Sequence, residues 1–345
     1  MKAIVYTEYG SPDVLQLKDV EKPVPADDEV LIKVRAASVN AADLHYLRAD
    51  PFPIRLMSGL LKPKNTLLGA DVAGRVEAVG KGVTQFQPGD EVFGDLSASG
   101  RGSFAEYVCA RENALVLKPA NITFEQAAAA PMAAVTALQG LRNNGHIQPG
   151  HKVLINGASG GVGTFAVQIA EALGAEVTAV CSTRNLALAR SLGADHVTDY
   201  TQEDFTQSAQ RYDLILAGNG YHPISDYRRT LSPAGTYVTT GGSVAQMSQA
   251  MLQGRWISMT GSQKMGNMLA RPNQADLAFI KGLLEAGKVV PVIDRTYPLS
   301  QVAEAIRYLE EGHAQGKVVI TVAETTSPKA PVDIGAARIA EKMIR

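Results

Sequence analysis

In DEVLIKV (28–34), Val30, Ile32 and Val34 recur at every second position, the period of a half-buried strand. VTQFQPGDEVFG (83–94) sets a Pro-Gly-Asp turn before another such run. Residues 1–122 read in this way as a β-rich lobe. The pattern changes at TFEQAAAAPMAAVTALQGL, where Thr123 followed three residues later by Gln126 signals a capping box ahead of an alanine-rich helix. From 151 onward, strand and helix periods alternate. The expected strands are HKVLIN, EVTAVC, HVTDY, YDLILAG, GTYVTTGG and WISMTG, with helices over 161–173 and 184–192. Such alternation predicts a parallel sheet with right-handed crossovers. After about 267 the alternation fades. PVIDRTY is expected as a strand leading into a helix capped by Ser300, with Val302, Ile306 and Leu309 as its apolar face and Gly312 past its end. The last stretch, 323–345, begins with loop-forming residues; a short helix over Ile334–Ile344 and a frayed tail are both open readings.

The fold class expected is therefore α/β: a doubly wound parallel-sheet domain at 123–267, inserted in a β-rich domain formed by 1–122 and 268–345. A chain of 345 residues, 46% hydrophobic and 19% charged, suits two domains. The balance of 33 basic and 34 acidic residues offers no global field for nucleic acid or an anionic membrane, so neither is expected as a partner. Cys109 and Cys181 are too few and too far apart for a disulfide framework or a metal knuckle. Together with the lack of an apolar leader in MKAIVYTEYG, this predicts a cytoplasmic protein.

INGASGGVGTF (155–165) holds Gly157, Gly160, Gly161 and Gly163 between a strand and a helix, the context of a dinucleotide fingerprint. Glycines there permit a tight turn, close approach of a pyrophosphate to the backbone, and close packing of helix on sheet; the helix N-terminus supplies N–H donors. Ser159 and Val162 fall within the same turn and are expected beside the cofactor. An NAD site places an acid ~20 residues on, for the ribose 2′-OH. Here VTAVCSTRN offers Ser182 and Arg184 instead, which suit a 2′-phosphate and point to NADPH. Arg184 also reads as a solvated first-turn helix residue. Tyr200, ending the next strand, is a further candidate for the phosphate, or a locally packed aromatic.

ASVNAADLHYLRAD, LLGADVAGRVEAVGKGVTQFQPGDEVFG, GSFAEYV, AAAAPMAAVTAL, NGASGGVG and GKVVITV follow one another over residues 1 to about 322. In that order they resemble the medium-chain dehydrogenase/reductase superfamily, which joins a GroES-like catalytic domain to a Rossmann domain. Zinc alcohol dehydrogenases of that superfamily carry a cysteine in the first of these segments, Gly-His-Glu in the second and a cysteine in the alanine-rich helix. This chain has Asn40, Gly69-Ala70-Asp71 and the surroundings of Met132, and no four-cysteine lobe between Asp95 and Phe104. No metal is expected, because a catalytic zinc needs three protein ligands and only Asp71 remains as one. The resemblance is to the zinc-free branch, quinone oxidoreductases and enone or enoyl reductases.

That resemblance implies hydride transfer from NADPH to a quinone or an α,β-unsaturated carbonyl. It places Asn40 beside nicotinamide and substrate, and Tyr46 as donor to the acceptor oxygen. Asn40 as a plain helix cap and Tyr46 as a surface aromatic stand beside these readings. Asp43 and His45 are taken as structural. Asn219, Gly241 and Gly242, at the ends of the fourth and fifth strands, are expected to face the nicotinamide ribose, although Ala217 stands where many relatives have an aspartate. Thr136 and Lys317 are expected near nicotinamide and phosphates, or as structural contacts. PFPIRLMSGLLKPKNT is expected to line the substrate pocket. A homodimer is expected through the apolar sixth strand, WISMTGSQ. The alternative function is a non-catalytic NADPH-binding protein, crystallin-like or a sensor.

Overall fold

The structure is a computed structural model that describes residues 1–220, 222–242 and 244–322, Val244 through its backbone only. The Ile334–Ile344 segment lies outside the described residues. The chain separates into two compact units, one of Met1–Val135 with the described residues from Pro272 on, the other of Thr136–Arg271.

In the first unit a seven-stranded sheet runs in the order Ile293–Pro298, Lys317–Thr321, Glu29–Val39, Asp71–Val79, Glu91–Asp95, Leu115–Leu117, with Tyr107–Arg111 paired to the first half of Glu29–Val39. All pairings are antiparallel except that of Ile293–Pro298 with Lys317–Thr321. Val30, Ile32 and Val34 pack with Val72, Val76, Val92, Val108 and Leu115 into one core, the face that the alternation of DEVLIKV predicts. Because Glu29–Val39 is central, Ser38 lies opposite Asp71 on one side and Val39 opposite Val318 on the other. Three segments far apart in sequence thereby meet at one end of the sheet.

The capping box forms as expected: Gln126 N–H donates to Thr123 Oγ1 at 3.2 Å, and Thr123 N–H to Gln126 Oε1 at 2.9 Å. The alanine run does not continue as one helix. Pro131 cannot donate to the carbonyl four residues back, so Phe124–Ala129 ends and Pro131–Leu138 begins anew.

The second unit is a six-stranded, wholly parallel sheet in the order His196–Asp199, Glu176–Cys181, Lys152–Asn156, Tyr212–Ala217, Leu231–Thr239, Lys264–Asn267. This 3-2-1-4-5-6 order is that of a Rossmann fold. Two expectations are corrected. WISMTG is not the sixth strand but the end of the helix Val244–Thr260, and the strand is Lys264–Asn267. A short apolar run carries no period of its own, and in the helix Ile257 turns inward while Trp256 and Met259 stay exposed. Ser300 does not cap the last helix. A 3₁₀ turn, Leu299–Gln301, precedes Val302–Glu310 and brings both Leu299 and Val302 into the core, leaving Ser300 exposed. The helix Gln274–Glu285, capped by Asn273 through Asp276 N–H at 2.8 Å, had no counterpart in the pattern reading.

Candidate functional site

The glycine turn follows strand Lys152–Asn156 directly. Gly157 has φ +84°, a conformation that disfavours a side chain, and its N–H and that of Ala158 donate to Val180 O at 3.2 and 3.0 Å. A Cβ at Gly163 would stand 2.1 Å from Gly157 O, so helix Gly161–Ala172 can close on the turn only with glycine there. Gly160 differs: a Cβ would meet only Gly157 O, at 3.6 Å. Protein packing does not demand glycine at 160, whereas a ligand lying on the backbone would. Val162 is half-buried in the first turn of that helix, and no side chain caps its N-terminus at Gly160, which leaves it suited to an anion.

At the end of Glu176–Cys181 the chain turns through Ser182 into the 3₁₀ turn Thr183–Asn185. Arg184 is exposed. Asp199 pairs in register with Cys181, and Tyr200 N–H donates to Cys181 O at 3.2 Å, so Ser182 and the exposed Tyr200 leave neighbouring strands at the same sheet end. No acid stands among Ser182–Arg184. Asp199 is close by, but its carboxylate accepts from Thr183 Oγ1 at 2.5 Å and from Thr201 N–H and Oγ1 at 3.0 and 2.7 Å. The Thr183 hydroxyl foremost holds that carboxyl below its ordinary range.

Sequence reasoning missed Asn185. Its Nδ2 donates to Ser159 Oγ at 2.9 Å and to Ser182 Oγ at 3.1 Å, tying the glycine turn to the second-strand end, while its Oδ1 is buried without a partner. Asn219 packs over Gly157, where a Cβ would come 2.9 Å from its nitrogen. Gly241 lies against Gly218 O, and Gly242 has φ +99°. Just before them, Thr240 Oγ1 is buried and unpartnered beside Gly218. Thr136 is buried in helix Pro131–Leu138. Gly160, which packing does not require, and the orphaned buried oxygens of Asn185 and Thr240 along the carboxyl edge of a parallel sheet fit a dinucleotide.

The first unit holds the other candidates. Asn40 precedes helix Ala41–Arg48, and its N–H donates to Asp43 Oδ2 at 2.8 Å. Asp43 also accepts from Gly69 N–H at 3.2 Å and is fully buried. Burial pushes its carboxyl up to about 7, against the opposing Asn40 hydrogen bond. The Asn40 carboxamide is engaged at both ends. Nδ2 donates to Asp71 Oδ2 at 2.9 Å and, weakly, to Ser38 O at 3.4 Å; Oδ1 accepts from Lys317 Nζ.

Lys317, expected near phosphates, is only 3% exposed and turns its ammonium inward, to Asn40, to Val39 O at 3.3 Å and toward Asp71 at 3.6 Å. Of the two readings of Lys317, near nicotinamide and phosphates or a structural contact, this placement favours the second. Asp71, also fully buried, accepts from Ser38 Oγ at 2.7 Å and from Met132 N–H at 2.9 Å.

Tyr46, half-buried in helix Ala41–Arg48, carries the Arg101 guanidinium 3.3 Å above its ring centroid. Arg101, absent from the sequence reading, has φ +63°, and its buried Nε lacks a partner. The one signal for it was a lone cation between Gly100 and Gly102. His45 is structural, its Nδ1 2.8 Å from Asp50 O.

A zinc ion does not fit this donor set. Of Asn40, Ala70 and Asp71, in the segments where the resemblance puts the ligands of zinc dehydrogenases, only Asp71 offers an anionic ligand; both its oxygens are engaged, and an ammonium already lies beside them. Among the described residues no group of three or more His, Cys, Asp or Glu could hold a metal.

Residues 26–120 match the alcohol dehydrogenase GroES-like domain family, and residues 192–320 the family described as zinc-binding dehydrogenase. The chain is 38% identical to the 2-methylene-furan-3-one reductase of Solanum lycopersicum, over 93% of this chain and 79% of that protein. It is 35% identical to the chloroplastic NADPH-dependent alkenal/one oxidoreductase of Arabidopsis thaliana, with the same coverage. The quinone oxidoreductase structure from Coxiella burnetii superposes with a TM-score of 0.82 at 31% identity, covering 94% of this chain and 99% of that one. A Rossmann sheet, a GroES-like domain and relatives of this kind over nearly the whole chain have one meaning: the protein belongs to the medium-chain dehydrogenase/reductase superfamily of oxidoreductases, in its quinone oxidoreductase-like branch.

Proposed function

We propose that the protein transfers hydride from NADPH to a quinone or an α,β-unsaturated carbonyl, without a catalytic metal. The observation that carries this reading is the glycine turn followed by an acid-free second-strand end presenting Ser182 and Arg184. The enone reductase, alkenal/one oxidoreductase and quinone oxidoreductase names of its relatives support the acceptor class. The domain roles follow the sequence reading with boundaries moved to those of the two units, Thr136–Arg271 for the cofactor and Met1–Val135 with the described residues from Pro272 on for catalysis.

Bound NADPH supplies the hydride. Gly157, Gly160, Gly161 and Gly163, with Ser159 and Val162, form the bed for its pyrophosphate. Ser182, Arg184 and Tyr200 hold the 2′-phosphate, and Thr136, Asn219, Gly241 and Gly242 serve the nicotinamide side. Tyr46 is the donor to the acceptor's oxygen, where charge gathers as the enolate forms, and Asn40 offers it the second Nδ2–H, which Ser38 O holds only weakly at 3.4 Å. The Arg101 cation on the Tyr46 ring favours that charge. In the stretch expected to line the pocket, Phe52, Leu56, Met57, Leu60 and Leu61 are exposed and offer apolar surface for it.

A homodimer forms in this reading through the helix Val244–Thr260 in place of an apolar edge strand. The edge strand Lys264–Asn267 is short, but the helix before it exposes Met247, Met251, Leu252, Trp256 and Met259, and a groove of about 900 Å³ includes Leu252, Trp256 and Ile257. Such an apolar face is covered well by a second copy. The two free cysteines suit a reducing compartment, read here as the cytoplasm, although the Arabidopsis relative is chloroplastic. Among the described residues no helix is long and apolar enough to cross a membrane.

Stopped-flow oxidation of NADPH and NADH against quinones, enones, enoyl thioesters and simple aldehydes tests the reading. Fast turnover of NADPH by quinones or enones, unaffected by chelator, is expected. Turnover confined to aldehydes, or lost on chelation, would overturn it.

A further inference from the structure

Asparagine's carboxamide has nearly the same shape when turned over, so its oxygen and nitrogen are told apart only by their partners. Around Asn40 those partners are charged and opposite. Lys317 Nζ has only donors and meets Oδ1, whereas Asp71 Oδ2 is an acceptor and takes Nδ2–H at 2.9 Å. The turned-over amide would set its NH₂ against an ammonium and its oxygen against a carboxylate. Water cannot soften that conflict, since Asn40, Asp71 and Lys317 are 7%, 0% and 3% exposed. The carboxylate is itself fixed, by Ser38 Oγ on one oxygen and Met132 N–H on the other. Each member comes from a different strand or its end: Lys317 opens Lys317–Thr321, Asn40 follows Glu29–Val39, and Asp71 opens Asp71–Val79.

We propose that Lys317 and Asp71 are positioning residues that lock the Asn40 carboxamide in the one orientation used for hydride transfer. The proposal rests on the reading of Asn40 as a donor at the reacting centre. A purely structural pair would brace the same three strands and nothing more. The two roles separate when both charges are removed together, because a buried pair replaced as a unit need not destabilise, whereas breaking it does.

Lys317→Met alone leaves the Asp71 charge buried without its cation, and its melting temperature should fall. Lys317→Met/Asp71→Asn should regain most of that temperature while kcat for NADPH oxidation by a 1,4-quinone stays ~10²-fold below wild type, the scale of a lost donor at an oxyanion. The NADPH KM should stay within about threefold of wild type, because the Lys317 ammonium is turned to Asn40, Val39 O and Asp71. Wild-type kcat in the double variant would reduce the pair to a brace and overturn the proposal. An NADPH KM rising in step with the fall in kcat would return Lys317 to the cofactor and overturn it equally.

Should the double variant fail to fold, Ser38→Ala alone decides, because it loosens the Asp71 carboxylate that orients Asn40 while leaving both charges in place. Its kcat should fall ~10-fold or more in the wild-type background and not at all in an Asn40→Ala background, since residues acting through one another are not additive. Equal losses in both backgrounds would reject the mechanism. The wild-type rate is measured first: an inactive wild type removes the reductase reading and this proposal with it, whereas an active wild type with an equally active double variant removes only the proposal.

Discussion

The glycine turn of the second unit and the Asn40 cluster of the first are built on opposite principles. The turn is backbone: Gly157, Gly160 and Gly163 lie within seven residues, and what matters is the side chains they lack. The cluster is side chain: Asn40 reaches Asp71 31 positions on and Lys317 277 positions on, and what matters is charge held out of water. The difference teaches where functional information lives. A backbone site is written contiguously and survives most changes around it, while a buried polar site exists only after three strands have paired and tolerates little at any member.

The largest effect expected separates two glycines of the turn. Gly163→Ala sets a Cβ 2.1 Å from a backbone oxygen, and such overpacking typically costs ~1–3 kcal/mol or more, so NADPH binding should be lost along with thermal stability. Gly160→Ala meets nothing closer than 3.6 Å and should melt with the wild type while binding NADPH more weakly. Calorimetry with fluorescence titration checks both; a Gly160→Ala protein with unchanged affinity would mean that no ligand lies on that backbone.

Next in size is Tyr46, the donor proposed in the first unit. Tyr46→Phe should lower kcat ~10²-fold and leave KM nearly unaltered, because the lost hydrogen bond strengthens only as charge forms. Single-turnover NADPH oxidation with a quinone and with a small enone measures this. Wild-type rates on both acceptors would make the ring a packing partner for Arg101 and nothing else.

Arg184→Ala is expected to cost ~1.5–3 kcal/mol in NADPH binding, the scale of a charge-assisted hydrogen bond. The NADH KM should hardly move, since NADH has no 2′-phosphate. Initial-rate kinetics with both cofactors decides, and equal shifts would take Arg184 off the phosphate.

The smallest effect concerns pH. Burial raises the folded-state carboxyls of Asp43 to about 7 and of Asp95 to about 6, above the usual 3.8. Their protonated forms are therefore favoured by folding, and the stability they contribute is present at acidic pH and lost as pH rises through 6 to 7. Melting temperature should fall gently between pH 5 and 8, and Asp43→Asn should flatten that slope. A melting temperature that rises over this interval in wild type would contradict the burial argument.

The same contrast explains what could be read from the sequence. The parallel sheet, the glycine turn and the Thr123–Gln126 cap depend on neighbours in the chain, and their residues carry the signal. Failures came where local pattern is ambiguous or silent. WISMTG has no period, so its pattern suits helix and strand alike, and only the helix turns Ile257 to the core. Strand Lys264–Asn267 has only Met265 as a buried apolar side chain and announces itself to no pattern. Lys317 in GKVV reads equally as a contact near nicotinamide and phosphates or as a structural one, and nothing near it in sequence reveals that strand pairing buries it beside Asn40. Asn185 escaped for the same reason, since the serines it joins stand 26 and 3 residues away.

The central claim is that one region holds NADPH while Asn40 and Tyr46 in the other receive the acceptor. It is tested most directly by single-turnover transfer from NADPH deuterated at C4, with a small enone as acceptor and the product's label located by NMR. Label on the β-carbon is predicted, transferred slowly by Tyr46→Phe and Asn40→Ala under saturating NADPH while Tyr46→Phe binds the cofactor as the wild type does. Label absent from carbon, or transfer at the wild-type rate in both variants, would contradict the account.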